Sequence, residues 1–100
     1  MIVQDISQLN TLAKPLFDQY NISKAAVFGS FAHGSAKKKS DIDLLIAFIG
    51  VYDLFDIIGL KQDLEEACGR KVDLLTYSSL TDNEFSKIIL QEAKIIYEKN

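Results

Sequence analysis

The sequence predicts an α/β (α+β) fold, a small mixed β-sheet with helices packed on it, and three observations support this. Segments with helical spacing alternate with short apolar runs. One run, Ile42–Phe48, is almost continuously apolar, which is typical of a central strand covered on both faces. The 100 residues, 48% of them hydrophobic and 25% charged, suffice for one core and no second one. We therefore expect a single domain over residues 1–100.

The first segment, from about Ile6 to Tyr20, has apolar residues at helical spacing. Asp5 or Ser7 is suited to cap its start, and Asn21 to end it. Pro15 removes one internal hydrogen bond. We therefore expect either a kinked helix through Pro15, or a short turn followed by a helix with Pro15 in its first turn.

The next segment is a short buried strand at Ala25–Phe28, which Gly29 ends. Ser30 is suited to cap a brief helix that runs through His33 and ends at Gly34. The N–H groups at the start of such a helix, together with the Ser30 hydroxyl, would form a seat for a phosphate group.

The clearest strand, Ile42–Phe48, follows a loop with three lysines and ends before Gly50. Asp53 is a good N-cap for the next helix, and Gly69 supplies its C-terminal stop. Lys71–Thr76 is predicted to be another strand.

The last quarter of the chain is predicted to contain a helix and a strand. Thr81-Asp82-Asn83-Glu84 is a capping-box signature for the helix. Lys94–Glu98 is compatible with the last turn of that helix or with an edge strand. We favour the strand, because Ile-Ile-Tyr is strongly β-prone.

Composition excludes several classes of protein. The net charge of −3 gives no general attraction to nucleic acid or to an anionic membrane. The single Cys68 cannot form an internal disulfide and fits a reducing compartment. The N-terminal residues do not resemble a signal peptide, and the apolar-rich span Leu44–Leu60 contains Asp53 and Asp56. We expect no membrane association and a cytoplasmic location.

Asp41 and Asp43 are the first candidate functional residues. Because side chains alternate along a strand, both carboxylates project from one face at the start of Ile42–Phe48. Like charges so placed destabilise an empty site, and a Mg²⁺ or Mn²⁺ ion reverses that cost. The alternative is a pair of solvated aspartates.

Asp73 lies in a second apolar strand, where a carboxylate has little reason to be unless it completes a cluster. If the two strands are neighbours, three carboxylates meet, which is the usual protein contribution to two-metal nucleotidyl transfer. The alternative is a sheet-edge residue paired with Arg70 or Lys71.

These pieces resemble a known family. FGSFAHGSAKKKSDIDLLIAF is similar to the signature of the DNA polymerase β-type nucleotidyltransferase superfamily, and most closely to its minimal nucleotidyltransferase (MNT) branch. The resemblance continues through GRKVDLLT and the terminal EAKIIYE, so it spans nearly the whole chain. It implies a polymerase β palm-like fold and transfer of a nucleotide from ATP.

The resemblance also implies a role for each matching residue. Asp41 and Asp43 would hold two Mg²⁺ ions, with Mn²⁺ as a possible substitute. Asp73 would be the third metal ligand and the base that activates the acceptor hydroxyl. The residues implied to bind the nucleotide are Gly29, Ser30 and Ser40.

The chain departs from the family pattern at Phe31 and His33, where members commonly carry arginine or tyrosine. Losing an arginine removes a fixed bidentate phosphate donor. His33 either replaces part of that function or is a surface histidine. Lys37, Lys38 and Lys39 either screen the triphosphate or form a solvated loop.

The family resemblance also implies a partner. MNT proteins are typically paired with a small helical HEPN protein, often an RNase toxin, and active members transfer AMP from ATP to a tyrosine on it. A chain this short has no room for an acceptor-binding domain, so we expect an antitoxin whose HEPN partner presents the acceptor. The apolar residues that would either form part of this interface or belong to the core are Ile49, Val51, Tyr52, Leu54 and Phe55.

Two other functions remain open at the sequence level. One is a non-catalytic antitoxin that neutralises its partner by forming a complex, against which the three aspartates argue. The other is a small-molecule nucleotidyltransferase of the aminoglycoside type. Polymerisation on nucleic acid is disfavoured by the acidic charge balance.

Overall fold

The computed structural model describes residues 2–32 and 41–99. The elements, in chain order, are α1 (Ile6–Gln19), β1 (Ile22–Phe28), β2 (Ile42–Phe48), α2 (Leu54–Cys68), β3 (Val72–Thr76), a 3₁₀ turn (Tyr77–Ser79), α3 (Glu84–Glu92) and β4 (Lys94–Glu98). This confirms the predicted α+β class, the central strand at its predicted bounds, and the strand at Lys94–Glu98.

The four strands form one mixed sheet in the order β3-β2-β1-β4. β2 pairs parallel with β3, whereas β1 pairs antiparallel with both β2 and β4. Because parallel neighbours need a crossover, α2 connects β2 to β3. β2 therefore has a hydrogen-bonded neighbour on each side, as its apolar sequence predicted.

Both faces of β2 are covered, but unequally. On one face α1 and α2 pack on Ile42, Leu44 and Ile46, which are fully buried. On the other face a smaller cluster joins Leu45 to Ala26 of β1 and Ile89 of α3. The residues that α1 and α2 bury are Leu9, Ala13, Phe17, Leu60, Leu64 and Cys68. The main core thus lies under the two long helices and leaves the second face partly open.

Helix α1 is continuous through Pro15 and is capped by Asp5, whose Oδ1 accepts a hydrogen bond from the Gln8 N–H at 2.8 Å. The alternative in which the helix begins near Pro15 is wrong. Three buried residues on one face of α1 outweigh the single hydrogen bond that proline removes. Asn21, with φ 57°, follows the helix end, as predicted.

The brief helix predicted after Ser30 is not formed in the described residues, because residues 29–32 are a turn. Phe31 and Ala32 are only 2% and 1% exposed, so their side chains fill the core. The other end of the predicted helix, at His33 and Gly34, lies outside the described residues.

The N-cap of α3 also differs from the prediction. Asn83, rather than Thr81, caps the helix, and its Oδ1 accepts a hydrogen bond from the Ser86 N–H at 2.8 Å. Thr81 instead supports the cap, since its Oγ1 accepts from the Asn83 side-chain amide at 2.7 Å. Asn and Thr are both good caps, and the helix uses the later one.

In the part of the chain that the structure describes, no helix has both the length and the apolar character needed to cross a bilayer. Cys68 is buried and carries a free thiol.

Candidate active site

The parallel pairing of β2 and β3 brings two of the predicted carboxylates together. Asp43 and Asp73 are register partners, and the ladder starts one residue earlier with Ile42 opposite Val72. Register partners on adjacent strands project from the same face, about 4.8 Å apart along the hydrogen-bonding direction. Asp41, two residues before Asp43, comes immediately before β2. The juxtaposition on which the metal-site prediction depends is therefore present.

These carboxylates project from the face that α1 and α2 do not cover. Ile42 and Leu44 pack under the helices, so Asp43, between them, points to the opposite face. Asp73 is exposed, and Asp41 and Asp43 are half-buried. A ligand can therefore reach all three.

The carboxyl group of Asp43 lies in an unfavourable electrostatic position. Partial burial is the main cause that raises the pKa of its carboxyl, and the nearby charges of Asp73 and Asp41 raise it further. Three oxygen donors with excess negative charge match the preference of Mg²⁺ or Mn²⁺. Within residues 2–32 and 41–99, no three Asp, Glu, His or Cys side chains are already closed around a metal position. The three carboxylates therefore fit a divalent cation in donor type and in charge.

Gly29 connects the carboxylates to the turn that follows β1. It comes directly after Phe28, the register partner of Asp43, and has φ +72°. A Cβ atom at Gly29 would lie 2.5 Å from Asp43 Oδ2, so any side chain there would displace the Asp43 carboxylate. The backbone of the predicted phosphate-binding turn therefore lies close to the predicted metal ligand, with Ser30 as the next residue. Ser40, His33 and the three lysines lie outside the described residues.

Phe31 anchors this turn in a way that sequence reasoning missed. Its ring is buried, and the Arg70 guanidinium lies over it with Cζ 5.1 Å from the ring centroid. Arg70 Nε also donates a hydrogen bond to the Val3 carbonyl. Phe31 thus has a packing role and does not replace a phosphate-binding arginine. The sequence signal for this burial was the apolar pair Phe31-Ala32, which directly follows the turn-forming residues Gly29 and Ser30.

The apolar residues beyond β2 are mostly at the surface. Four of them, here called the β2–α2 patch, are exposed: Ile49 (47%), Val51 (102%), Leu54 (67%) and Phe55 (82%). The alternative that placed them in the core is wrong for these four. Tyr52 is half-buried and stacks on Phe48, with ring centroids 4.2 Å apart. The patch begins six residues beyond Asp43, or about 20 Å along the strand direction.

Comparison with known proteins decides the family. Over residues 10–100 the sequence matches the family described as Polymerase beta, Nucleotidyltransferase. The chain belongs to this family. A protein adenylyltransferase, MntA of Thermococcus cleftensis, is 36% identical over 86 residues, which make up 86% of each protein. A solved minimal nucleotidyltransferase superposes on this nucleotidyltransferase with a TM-score of 0.76 at 32% identity, over 90% of this chain and 94% of its own.

Two toxin–antitoxin complexes share the fold of this nucleotidyltransferase. One was solved with AMP-PNP and has a TM-score of 0.76 at 20% identity, over 91% of this chain and 74% of its own. The other pairs a tri-AMPylated HEPN toxin of Shewanella oneidensis with its MNT antitoxin, with a TM-score of 0.70 at 18% identity, over 94% of this chain and 73% of its own. The resemblance to the minimal branch that the signature predicted is confirmed, and with it the enzyme class.

Proposed function

We propose that this nucleotidyltransferase is a Mg²⁺-dependent protein adenylyltransferase that transfers AMP from ATP to a hydroxyl, most simply a tyrosine, of a HEPN-type toxin. In this proposal the chain is the antitoxin of the pair. The observation that carries it is the register of β2 and β3, which sets Asp43 beside Asp73 on the open face, with Asp41 two residues before.

Each residue of the candidate site has its own role in this proposal. Asp41, Asp43 and Asp73 would hold the metal ions, which supply charge neutralisation for the triphosphate and a lower pKa for the acceptor hydroxyl when bound. Gly29 lets the turn approach the phosphates without a side chain between them, and Ser30 offers a hydroxyl. Ser40 is proposed as a further nucleotide contact.

The proposed reaction is a displacement at the α-phosphorus of ATP. The acceptor oxygen forms a bond to this phosphorus, and the bond to the oxygen bridging the α- and β-phosphates breaks. Pyrophosphate leaves, and the hydroxyl proton passes to the Asp73 carboxylate, which is exposed on the face where the acceptor arrives. The products are the adenylylated partner, pyrophosphate and one proton.

The identity of the partner is supported by the relatives and by the surface of this chain. A relative with 36% identity is named a protein adenylyltransferase, and two solved complexes with this fold contain a toxin and its antitoxin. The β2–α2 patch exposes four large apolar side chains that no element of the described chain covers. Such a patch is typical of a protein interface.

The test is adenylylation of a HEPN-type toxin that is mixed with this chain. With ATP and Mg²⁺, mass spectrometry should find one or more AMP masses added to that protein. The double variant Asp41→Asn with Asp43→Asn should lose more than about 100-fold of the rate, since even residues behind metal ligands cost about 10–100-fold when replaced. Glu66→Gln, an exposed carboxylate on α2, is the matched control and should leave the rate unchanged.

Two outcomes would contradict the proposal. An unmodified partner in the presence of the folded wild-type chain would exclude protein adenylylation. If the double variant still neutralised the toxin as well as the wild type, neutralisation by complex formation would replace catalysis as the function.

A further inference from the structure

The outer edge of β3 is held by two side chains of α2. Lys61 Nζ donates a hydrogen bond to the Val72 carbonyl at 2.6 Å, and the Val72 N–H donates to Glu65 Oε2 at 3.0 Å. Lys61 and Glu65 also bind each other, with Nζ 2.9 Å from Oε2. The three contacts form a closed ring around the backbone N–H and carbonyl of one residue of an edge strand, and we call this ring the Val72 clamp.

The direction of the Val72 backbone groups explains why a clamp is placed there. The ladder toward β2 uses the Lys71 carbonyl, which accepts from the Ile42 N–H at 2.9 Å. Backbone groups of successive residues alternate between the two sides of a strand, so those of Val72 point away from β2. β3 is at the edge of the sheet, and these groups would otherwise lack a protein partner. The clamp satisfies both.

The clamp acts on the residue immediately before Asp73. The Val72 side chain is fully buried, so side chain, N–H and carbonyl of this residue are all held. Because the Asp73 side chain is exposed, packing contacts do little to fix it. The backbone that carries it therefore sets the region that its carboxylate can reach. A misplacement of about 1 Å in a catalytic group can cost about 100-fold in rate. A fixed Val72 therefore limits how far the Asp73 carboxylate can drift from Asp43.

We propose that Lys61 and Glu65 are positioning residues, which hold Asp73 in register with Asp43 so that the three carboxylates can share a divalent cation. This inference rests on the proposed function. The charges of Lys61 and Glu65 contribute to the Val72 clamp. The hydrogen bond from the Val72 N–H is the main cause that lowers the pKa of the Glu65 carboxyl, and the hydrogen bond from Lys61 lowers it further. Both favour the ionised form that Lys61 needs as its partner.

The test measures metal binding without requiring turnover. Mn²⁺ binding to the full chain is followed by the electron paramagnetic resonance signal of free Mn²⁺, with and without AMP-PNP. Lys61→Met, which removes the donor to Val72, should weaken Mn²⁺ binding by about tenfold, the usual effect of losing an outer support of a metal ligand. Glu65→Gln keeps an acceptor for the Val72 N–H and loses the ion pair, so a smaller loss in the same direction is expected.

The controls separate positioning from a general loss of stability. Lys87→Met removes another ion pair, in which Nζ lies 3.4 Å from Asp82 Oδ1, and leaves the Val72 clamp intact, so it should leave Mn²⁺ binding unchanged. In an Asp73→Asn background, Lys61→Met should weaken Mn²⁺ binding no further, because the carboxylate that the clamp positions is already absent. Circular dichroism establishes that each variant is folded.

Three results would overturn the inference. The first is that Lys61→Met and Glu65→Gln bind Mn²⁺ with the same affinity as the wild type. The second is that Lys61→Met weakens Mn²⁺ binding in the Asp73→Asn background as much as it does in the wild type. If the wild type itself neither binds Mn²⁺ nor transfers AMP, the proposed function fails first, and the positioning role fails with it. If the wild type is active and the clamp variants bind Mn²⁺ as tightly as it does, the proposed function stands and the positioning role is wrong.

Discussion

The close approach of Gly29 to the Asp43 carboxylate links the two halves of the candidate site. It joins the end of β1 to the start of β2, which are separated in the sequence by the segment that contains the lysines. Glycine is favoured at this position for two separate reasons, a positive φ of +72° and a Cβ position that would displace the Asp43 carboxylate. Gly50 shares only the first, since its φ is +73° and a Cβ there would meet nothing within 4 Å.

A comparison of Gly29 with Gly50 distinguishes the effect of backbone strain from the effect of displacing the Asp43 carboxylate. Gly29→Ala and Gly50→Ala should each destabilise the chain by about 1 kcal/mol, the cost of the left-handed conformation in alanine. Only Gly29→Ala should also reduce AMP transfer, by about 100-fold, because the added methyl group pushes Asp43 from its place. Urea denaturation and the transfer rate measure the two effects. A similar loss of rate in Gly50→Ala would show that strain alone is responsible.

At the scale of elements, the parallel pair β2 and β3 carries an electrostatic cost. Asp43 and Asp73 are register partners, and like charges placed side by side on a sheet are destabilising. Burial is the main cause that raises the pKa of the Asp43 carboxyl, and the like charges of Asp73 and Asp41 raise it further. A group whose pKa is raised on folding favours the folded state when protonated, and this stabilisation is lost as the pH rises through the raised pKa.

Removing the charges should therefore stabilise the metal-free chain. Asp41→Asn with Asp43→Asn is expected to raise Tm in chelator by a few degrees at neutral pH, and this gain should disappear below the ordinary pKa of aspartate. Mg²⁺ should raise the Tm of the wild type and leave that of the double variant unchanged, because a ligand stabilises only the chain that binds it. Differential scanning calorimetry across pH, with Glu66→Gln as the control, measures both effects. A lower Tm of the double variant in chelator would mean that the carboxylates are not crowded.

The elements were predictable to different degrees. β2, α2 and β4 have strong local signals: a continuous apolar run, the caps Asp53 and Gly69, and a β-prone Ile-Ile-Tyr. The helix after Ser30 was predicted from capping chemistry, and its described part is instead a turn, in which Phe31 and Ala32 are buried in the core. Burial of two apolar side chains outweighs a cap when the two compete for the same residues.

At the scale of the molecule, the carboxylates and the β2–α2 patch lie toward opposite ends of β2. A partner bound at the patch must therefore extend across the sheet to bring its hydroxyl to Asp73. The patch should contribute to affinity for the partner, and the carboxylates to the rate of transfer within the complex.

A substitution in the patch should separate these two quantities. Phe55→Ser is expected to weaken binding of the partner by about tenfold or more, since buried aromatic anchors dominate protein interfaces. It should raise KM for the partner and leave kcat nearly unchanged, because Phe55 is remote from the carboxylates. Phe85→Ser on α3, where the phenyl ring is 68% exposed compared with 82% for Phe55, is the matched control. Isothermal titration calorimetry and steady-state rates measure the effects, and equal losses in both variants would refute a specific role for the patch.

Some properties of this protein follow from its sequence alone, and others follow only from its tertiary structure. The sequence alone determined the α+β class through its hydrophobic periodicity, and it carried the resemblance to the family through a signature that contains Gly29, Asp41 and Asp43, because both are local properties of the chain.

Only the tertiary structure decided that Asp73 stands beside Asp43, that Gly29 lies close to the Asp43 carboxylate, and that Phe31 belongs to the core. It also decided that the β2–α2 patch is exposed and that Lys61 and Glu65 hold the edge of β3. Each of these depends on strand order, register or burial, which arise when distant segments pack together and which no local pattern encodes.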